Sequence, residues 1–132
     1  MQRPENLDYR GSLIRLMEHG ESAEIEAIAS RQERTVDALL HRMYSANDEE
    51  RRELVLLADE VGLGKTFVAL GVAWSVLLGR IRDGLPPKPV LIVTPRSHAL
   101  FGKWKRDLET FLNEAVSNGS QIDRRYVETP HD

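Results

Sequence analysis

The stretch LLADEVGLGKTFVAL, Leu56 to Leu70, restricts the possible fold more than any other part of the chain. An apolar run, the glycine-rich octet DEVGLGKT and a long apolar segment follow one another without a gap. Gly62 and Gly64 permit backbone angles that residues with a Cβ resist, so successive N–H groups can turn inward and form an anion nest. A helix starting at Lys65 would add the positive end of its dipole to the same spot. In such a nest Lys65 reaches the β- and γ-phosphates of a nucleotide and the Thr66 hydroxyl coordinates Mg2+. The alternative for the same residues is a glycine-rich turn that holds no ligand. The general phosphate-loop pattern has glycine six places before the lysine; here Asp59 stands there, so the octet is a variant of that pattern.

The flanking segments predict an alternation of strands and helices. ELVLLA, Glu53 to Ala58, is a short apolar run of the kind that forms a buried strand. From Lys65 to about Arg80 the chain is apolar on nearly every side, as a helix packed between a sheet and another layer would be. Phe67 to Leu78 and Trp74 are read as core of such a layer, not as a membrane or hydrophobic-ligand site. DGLPPKP ends the helix, VLIV (Val90 to Val93) reads as a second buried strand, and Thr94-Pro95 terminates it. Ser97 then caps a helix whose apolar positions are Leu100, Phe101, Trp104, Leu108, Phe111 and Leu112. After Asn113 the pattern fades: SNGSQ reads as loop, and RRYVETPHD as a strand or a frayed tail.

Upstream, Ser12 to His19 predicts a short helix stopped by Gly20. A second helical stretch begins near Ser22, carried by Ala23, Ile25, Ala27 and Ile28. Ser30 and Glu33, three apart, offer a capping box at a helix start, after which Val36, Leu39, Leu40 and Met43 form one apolar face. SANDEERR, Ser45 to Arg52, is a polar surface connector. Strand, loop, helix, strand, helix predicts the beginning of an α/β doubly wound sheet.

Composition narrows the function classes. Eighteen basic against 21 acidic residues leave a net charge of −3, so no global field draws the chain to nucleic acid and any such contact must be local. The absence of cysteine excludes disulfides, zinc ribbons and thiol nucleophiles and fits a reducing cytosol. The first twenty residues lack the form of a signal peptide. The longest uncharged apolar stretch, Phe67 to Gly79, is 13 residues, too short to span a bilayer. The expectation is a single soluble, cytoplasmic domain with no membrane contact.

LLADEVGLGKT resembles motif I of the SNF2-like members of helicase superfamily 2, which carry an Asp-Glu-x-Gly-x-Gly-Lys-Thr loop. VLIVTPRSHALFGKWKRDLETFL, Val90 to Leu112, resembles motif Ia of the same group, and the two come in the family's order. The resemblance implies a partial RecA-like P-loop NTPase sheet with helices on both faces over residues 51–132. An N-terminal helical segment over residues 1–50 precedes it. It implies ATP and Mg2+ held by Asp59, Glu60, Val61, Gly62, Leu63, Gly64, Lys65 and Thr66, with Lys65 catalytic and Thr66 on the metal. In this superfamily a glutamine upstream of the loop reads the adenine edge, and Gln32 is the candidate. It precedes Lys65 by 33 positions, with SANDEERR as an insertion; the alternative is an exposed residue in a helix's first turn.

The motif Ia corner in such motors touches the phosphate backbone of a bound strand, which by resemblance designates Thr94, Arg96 and Ser97. A helix N-terminus, a hydroxyl and a guanidinium in one place suit a phosphate. The alternative is that Ser97 only caps its helix and Arg96 is solvated. Lys103, Lys105 and Arg106 either extend a basic face or are wet surface.

A working ATPase of this family also needs an acidic motif II after a later strand and arginine fingers from a second domain. None of the 67 residues after Lys65 forms an apolar strand ending in Asp-Glu. Asp59 and Glu60 lie within the loop, and Asp107, Glu109 and Asp123 follow no such strand. The sequence therefore reads as ending inside a first motor domain, able to bind a nucleotide but not to hydrolyse it efficiently alone. The function expected is the ATP-binding N-terminal portion of a DNA-dependent translocase or helicase. The alternatives are a truncated, non-catalytic nucleotide-binding or interaction protein and, against the Asp59 variant and motif Ia, a small-molecule kinase. The residues leave open whether the track is DNA or RNA, and the oligomeric state.

Overall fold

A computed structural model describes residues 22–45, 47–58, 64–86 and 88–117. The helix expected over Ser12 to His19, the tail from Arg124 and most of the glycine-rich octet, Asp59 to Leu63, lie outside the described residues.

Helix α1 spans Ser22–Tyr44. Ala29, Gln32, Val36 and Leu40 recur three and four residues apart and are all almost fully buried, so one stripe faces the core along the helix. That stripe explains a departure from expectation. Ser30 and Glu33 do not open a helix; they sit inside α1, whose buried face runs past them without a break. Continuous burial on both sides of Ser30 outweighs the local gain of a cap there. His41 and Arg42 close the last turn, where positive charge suits the helix dipole.

The polar connector behaves as the sequence predicts. The Asn47 N–H donates to Ser45 Oγ (3.2 Å), and Asn47 Oδ1 accepts from the Glu49 N–H (3.1 Å). The Arg52 N–H returns to the Arg42 carbonyl (2.7 Å), bringing the chain back alongside α1.

Helix α2 spans Lys65–Arg82, and helix α3 spans His98–Ser117. Helix α2 ends in a Schellman turn. The Leu85 N–H reaches the Arg80 carbonyl (2.9 Å), the Gly84 N–H reaches Ile81 (3.0 Å), and Gly84 takes φ 68°. The Arg80 guanidinium then clasps the Pro86 carbonyl through Nε and Nη2 (3.0 and 2.9 Å). Helix α3 begins as expected: Ser97 Oγ accepts from the Leu100 N–H (3.3 Å) and the Ser97 carbonyl accepts from the Phe101 N–H (2.9 Å). It runs to Ser117, beyond the point where the apolar pattern fades.

Helix α2 is apolar all round because it packs against both other helices. On one side Val68 joins Ala29, Val36 and Leu40 of α1, with Leu57, Val72 and Val76 against them. On the other, Leu70 and Trp74 meet Phe111 of α3, with Trp104, Leu108 and Leu112 around them. Phe67 contributes to both clusters. The Trp74 and Phe111 rings meet edge to face, centroids 6.3 Å apart at 84°.

The expected α/β sheet is not what the structure shows. Among the described residues there are three helices and no β-strand, so neither a doubly wound sheet nor a partial RecA-like sheet is present there. The apolar runs read as strands are instead largely exposed: Leu54 and Leu56 stand 89% and 87% open, Leu91 and Val93 84% and 82%. In the first run Val55 and Leu57 are half-buried, and Leu57 packs onto the core shared by α1 and α2. An apolar run becomes a strand only when another backbone supplies its ladder of hydrogen bonds. Here the first run covers a helix and the second follows the α2 turn without a ladder partner among the described residues.

Candidate functional site

The candidate site lies at the head of α2. Gly64 is the N-cap, in the left-handed conformation at φ 75° and ψ 30°, and no side chain caps the helix. Its carbonyl accepts the first helical bonds, from the N–H groups of Phe67 (2.9 Å) and Val68 (3.1 Å). A residue with a Cβ is strained at that φ, so the glycine of the GKT triplet has a structural cause in this backbone. Lys65 and Thr66 follow in the first turn, both half-buried, and no acidic residue shares that turn. The N-terminal N–H groups of α2 therefore meet no side-chain acceptor from their own cap and no competing carboxylate in the first turn.

Gln32 is brought to the same place. It is 3% exposed, in the middle of α1, so it is not an exposed residue of a helix's first turn. Its side-chain amide lies against Gly64 on the face where a Cβ would project. A methyl there would overlap Nε2 outright and stand 3.2 Å from Cδ. The motif resemblance singled out both residues but not their contact. The available signal was a polar residue inside the buried stripe Ala29, Val36, Leu40, a place that requires a specific neighbour.

Of the other candidates, Asp59, Glu60, Val61, Gly62 and Leu63 lie outside the described residues. Thr94 is half-buried, while Arg96 and Ser97 are exposed at the head of α3. The Ser97 hydroxyl oxygen accepts its capping bond and keeps its own O–H to donate. Lys103 forms an ion pair with Asp107 one turn on, so that lysine's charge is balanced locally. Among the described residues no group of three or more His, Asp or Glu is placed to hold a metal. No helix there is long and apolar enough to cross a membrane.

The sequence did not signal a cleft of about 430 Å³ between α1 and the Val55–Leu57 run. Arg31, Arg34 and Arg42 line it, with Thr35, Ala38 and Leu39, and no carboxylate does. The Arg34 Nε–H is directed to the Ser30 carbonyl (3.3 Å).

Comparison with known proteins relates the chain that carries this glycine-capped helix to helicases. Residues 24–129 match the family model described as Type III restriction enzyme, res subunit, and the chain belongs to that family. It is 35% identical to Chromodomain-helicase-DNA-binding protein 9 of Homo sapiens over 79 residues, 58% of this chain and 2% of that protein. It is 35% identical to Chromodomain-helicase-DNA-binding protein 7 of Gallus gallus over 75 residues, 55% of this chain and 2% of that protein. It is 40% identical to DNA repair and recombination protein RAD54B of Homo sapiens over 58 residues, 43% of this chain and 6% of that protein. With these relatives the likeness is to the N-terminal region of SNF2-like superfamily 2 helicases. The chain spans only 2 to 6% of their length. No solved structure matches it.

Proposed function

We propose that this chain is the ATP-binding N-terminal portion of an SNF2-like, DNA-dependent ATPase that works as a translocase or helicase. The observation that carries the reading is the head of α2: a left-handed, uncapped Gly64 followed at once by Lys65 and Thr66, directly after Asp59 to Leu63. The residues there fit a nucleoside triphosphate with Mg2+. A helix N-terminus without a side-chain cap and a lysine suit an anion, a hydroxyl is at hand for the cation, and no first-turn carboxylate competes with the phosphate oxygens. In this reading Asp59, Glu60, Val61, Gly62, Leu63 and Gly64 wrap the phosphates. Lys65 neutralises the β- and γ-oxygens and Thr66 ligates Mg2+. When bound, the metal neutralises charge on the leaving phosphates.

The nucleotide site falls in residues 51–132, with the N-terminal helical segment within residues 1–50 supporting it through α1. Thr94, Arg96 and Ser97 meet a phosphate of the DNA backbone, the Ser97 O–H and the Arg96 guanidinium donating to it. The relatives named for helicase, DNA-binding and DNA-repair roles support DNA as the track. The test is ATP hydrolysis by the natural gene product that contains this chain, with and without duplex DNA. The reading expects DNA-stimulated turnover that Lys65→Ala abolishes; hydrolysis indifferent to every nucleic acid overturns it.

A further inference from the structure

The cleft between α1 and the Val55–Leu57 run is separate from the heads of α2 and α3, since neither Gly64 to Thr66 nor Thr94 to Ser97 lines it. Its lining has two chemistries. Arg31, Arg34 and Arg42 come from α1 and are exposed. Leu39, Val55 and Leu57 are half-buried and form an aliphatic floor, with Leu56 87% open at its edge. At about 100° per residue the three arginines share one flank of α1, and Glu33 and Asp37 fall on the other side of the buried stripe. In the connector, Asp48 pairs with Arg51 (2.9 Å) and Glu50 accepts from the Ser45 hydroxyl (3.4 Å), so these two carboxylates stay within their own loop. Arg34 gives its Nε–H to the Ser30 carbonyl (3.3 Å), which among the described residues leaves its Nη groups for an acceptor from outside. The cleft is therefore positive on its rim, aliphatic on its floor and without a counter-charge of its own.

We propose that this cleft docks an extended, acidic segment of a partner protein that carries an aliphatic residue between two carboxylates. The proposal does not rest on the nucleotide site. Both chemistries of the lining select this occupant. A nucleic-acid strand would use the arginines but leave Leu39, Val55, Leu56 and Leu57 idle, and no aromatic ring lines the cleft for its bases to stack on. An uncharged apolar segment would take water from the guanidinium groups and give them no counter-charge. Spacing points the same way. Arg34 and Arg42 stand eight positions apart on α1, about 12 Å along its axis. An extended chain advances about 13 Å in four residues and turns every second side chain to one face. A Glu-x-Leu-x-Glu segment thus presents two carboxylates to Arg34 and Arg42 and a leucine to the floor between them. The volume of about 430 Å³ suits a short segment of this kind, near the lower end of ligand pockets at about 300–1,000 Å³.

The test is fluorescence anisotropy of a labelled Ser-Glu-Ser-Leu-Ser-Glu-Ser peptide, titrated with the folded chain and with the natural gene product that contains it. Saturable binding to both is expected. Replacing the leucine of the peptide by serine, or both glutamates by glutamine, is expected to weaken binding about tenfold. Arg34→Gln and Arg42→Gln should each weaken the parent peptide about fivefold, the effect of one solvent-facing ion pair, with unchanged circular dichroism. Lys103→Gln, on α3, should stay within about twofold of wild type, since only general charge attraction is altered there. Should either arginine variant lose helix content, the peptide series on the wild type decides alone. Equal binding of all three peptides overturns the proposal, as does unchanged binding by both arginine variants. Binding by the isolated chain but not by the natural gene product also overturns it, because the cleft is then an internal surface of the larger protein. An oligothymidylate is added as competitor, and the unlabelled peptide is expected to displace the label at the lower concentration. The reverse order, lost in Arg34→Gln and Arg42→Gln, overturns the proposal in favour of a nucleic-acid contact.

Discussion

Replacing Trp74 by phenylalanine should cost little, although the residue is 3% exposed and central to the contact between α2 and α3. The indole Nε1–H is buried with no hydrogen-bond partner among the described residues. Truncating a buried tryptophan to alanine costs about 3–5 kcal/mol in lost contacts and residual cavity. Phenylalanine keeps one ring and its edge-to-face meeting with Phe111, so roughly half of that loss, on the order of 2 kcal/mol, is expected. Against it stands the removal of an unsatisfied buried donor, which relieves about 1–3 kcal/mol of desolvation. The two effects offset, leaving a net change within about 1 kcal/mol, or about 4 °C in Tm for a domain of this size. Trp74→Ala has no such compensation and should lower Tm by about 12–20 °C on the same scale. Thermal unfolding followed by circular dichroism at 222 nm distinguishes the two. A Trp74→Phe variant as unstable as Trp74→Ala would refute the reasoning, because it would mean that Nε1 makes a bond essential to the packing.

Other substitutions probe the remaining joints. Ser97→Ala removes the bond to the Leu100 N–H and should destabilise the chain by about 1 kcal/mol, read by urea denaturation. Gly84→Ala meets no neighbour, so it should cost only the left-handed backbone, about 1–2 kcal/mol, with Gly84→Asn milder; a much larger loss would point to a contact not accounted for. Leu54→Lys and Leu91→Lys should shift stability by no more than about 0.5 kcal/mol, since both side chains are more than four-fifths exposed. Leu57→Ala, half-buried against α1, should cost about 1–2 kcal/mol in the same assay. Equal effects at Leu54 and Leu57 would contradict the placement of this run on the helix.

Much of the helical framework was legible because its signals are local. Lys65 opens α2 and Ser97 caps α3 where the sequence places them, and Asn47 organises the connector between α1 and the octet. The all-round apolar character of α2 announced a packing partner on each side, but the sheet expected on one of them is, among the described residues, a helix. The failures concern partners far off in sequence. ELVLLA and VLIV have strand composition, but pairing is a property of a second backbone, and the described residues supply none. Ser30 and Glu33 satisfy a capping pattern, yet the register of Ala29, Gln32, Val36 and Leu40 carries the helix through them. At the site, the motif designated Gln32 and Gly64 separately. Their contact depends on how α1 docks on α2, which no local pattern encodes.

The most direct test of the account is calorimetric titration of MgATP into the folded chain and into Lys65→Ala. The account predicts saturable binding at one site by the wild type and a loss of tenfold or more, at least about 1.4 kcal/mol, in the variant with unchanged thermal unfolding. Absence of binding by the folded wild type, or equal binding by both, would contradict the claim that the head of α2 grips a nucleotide.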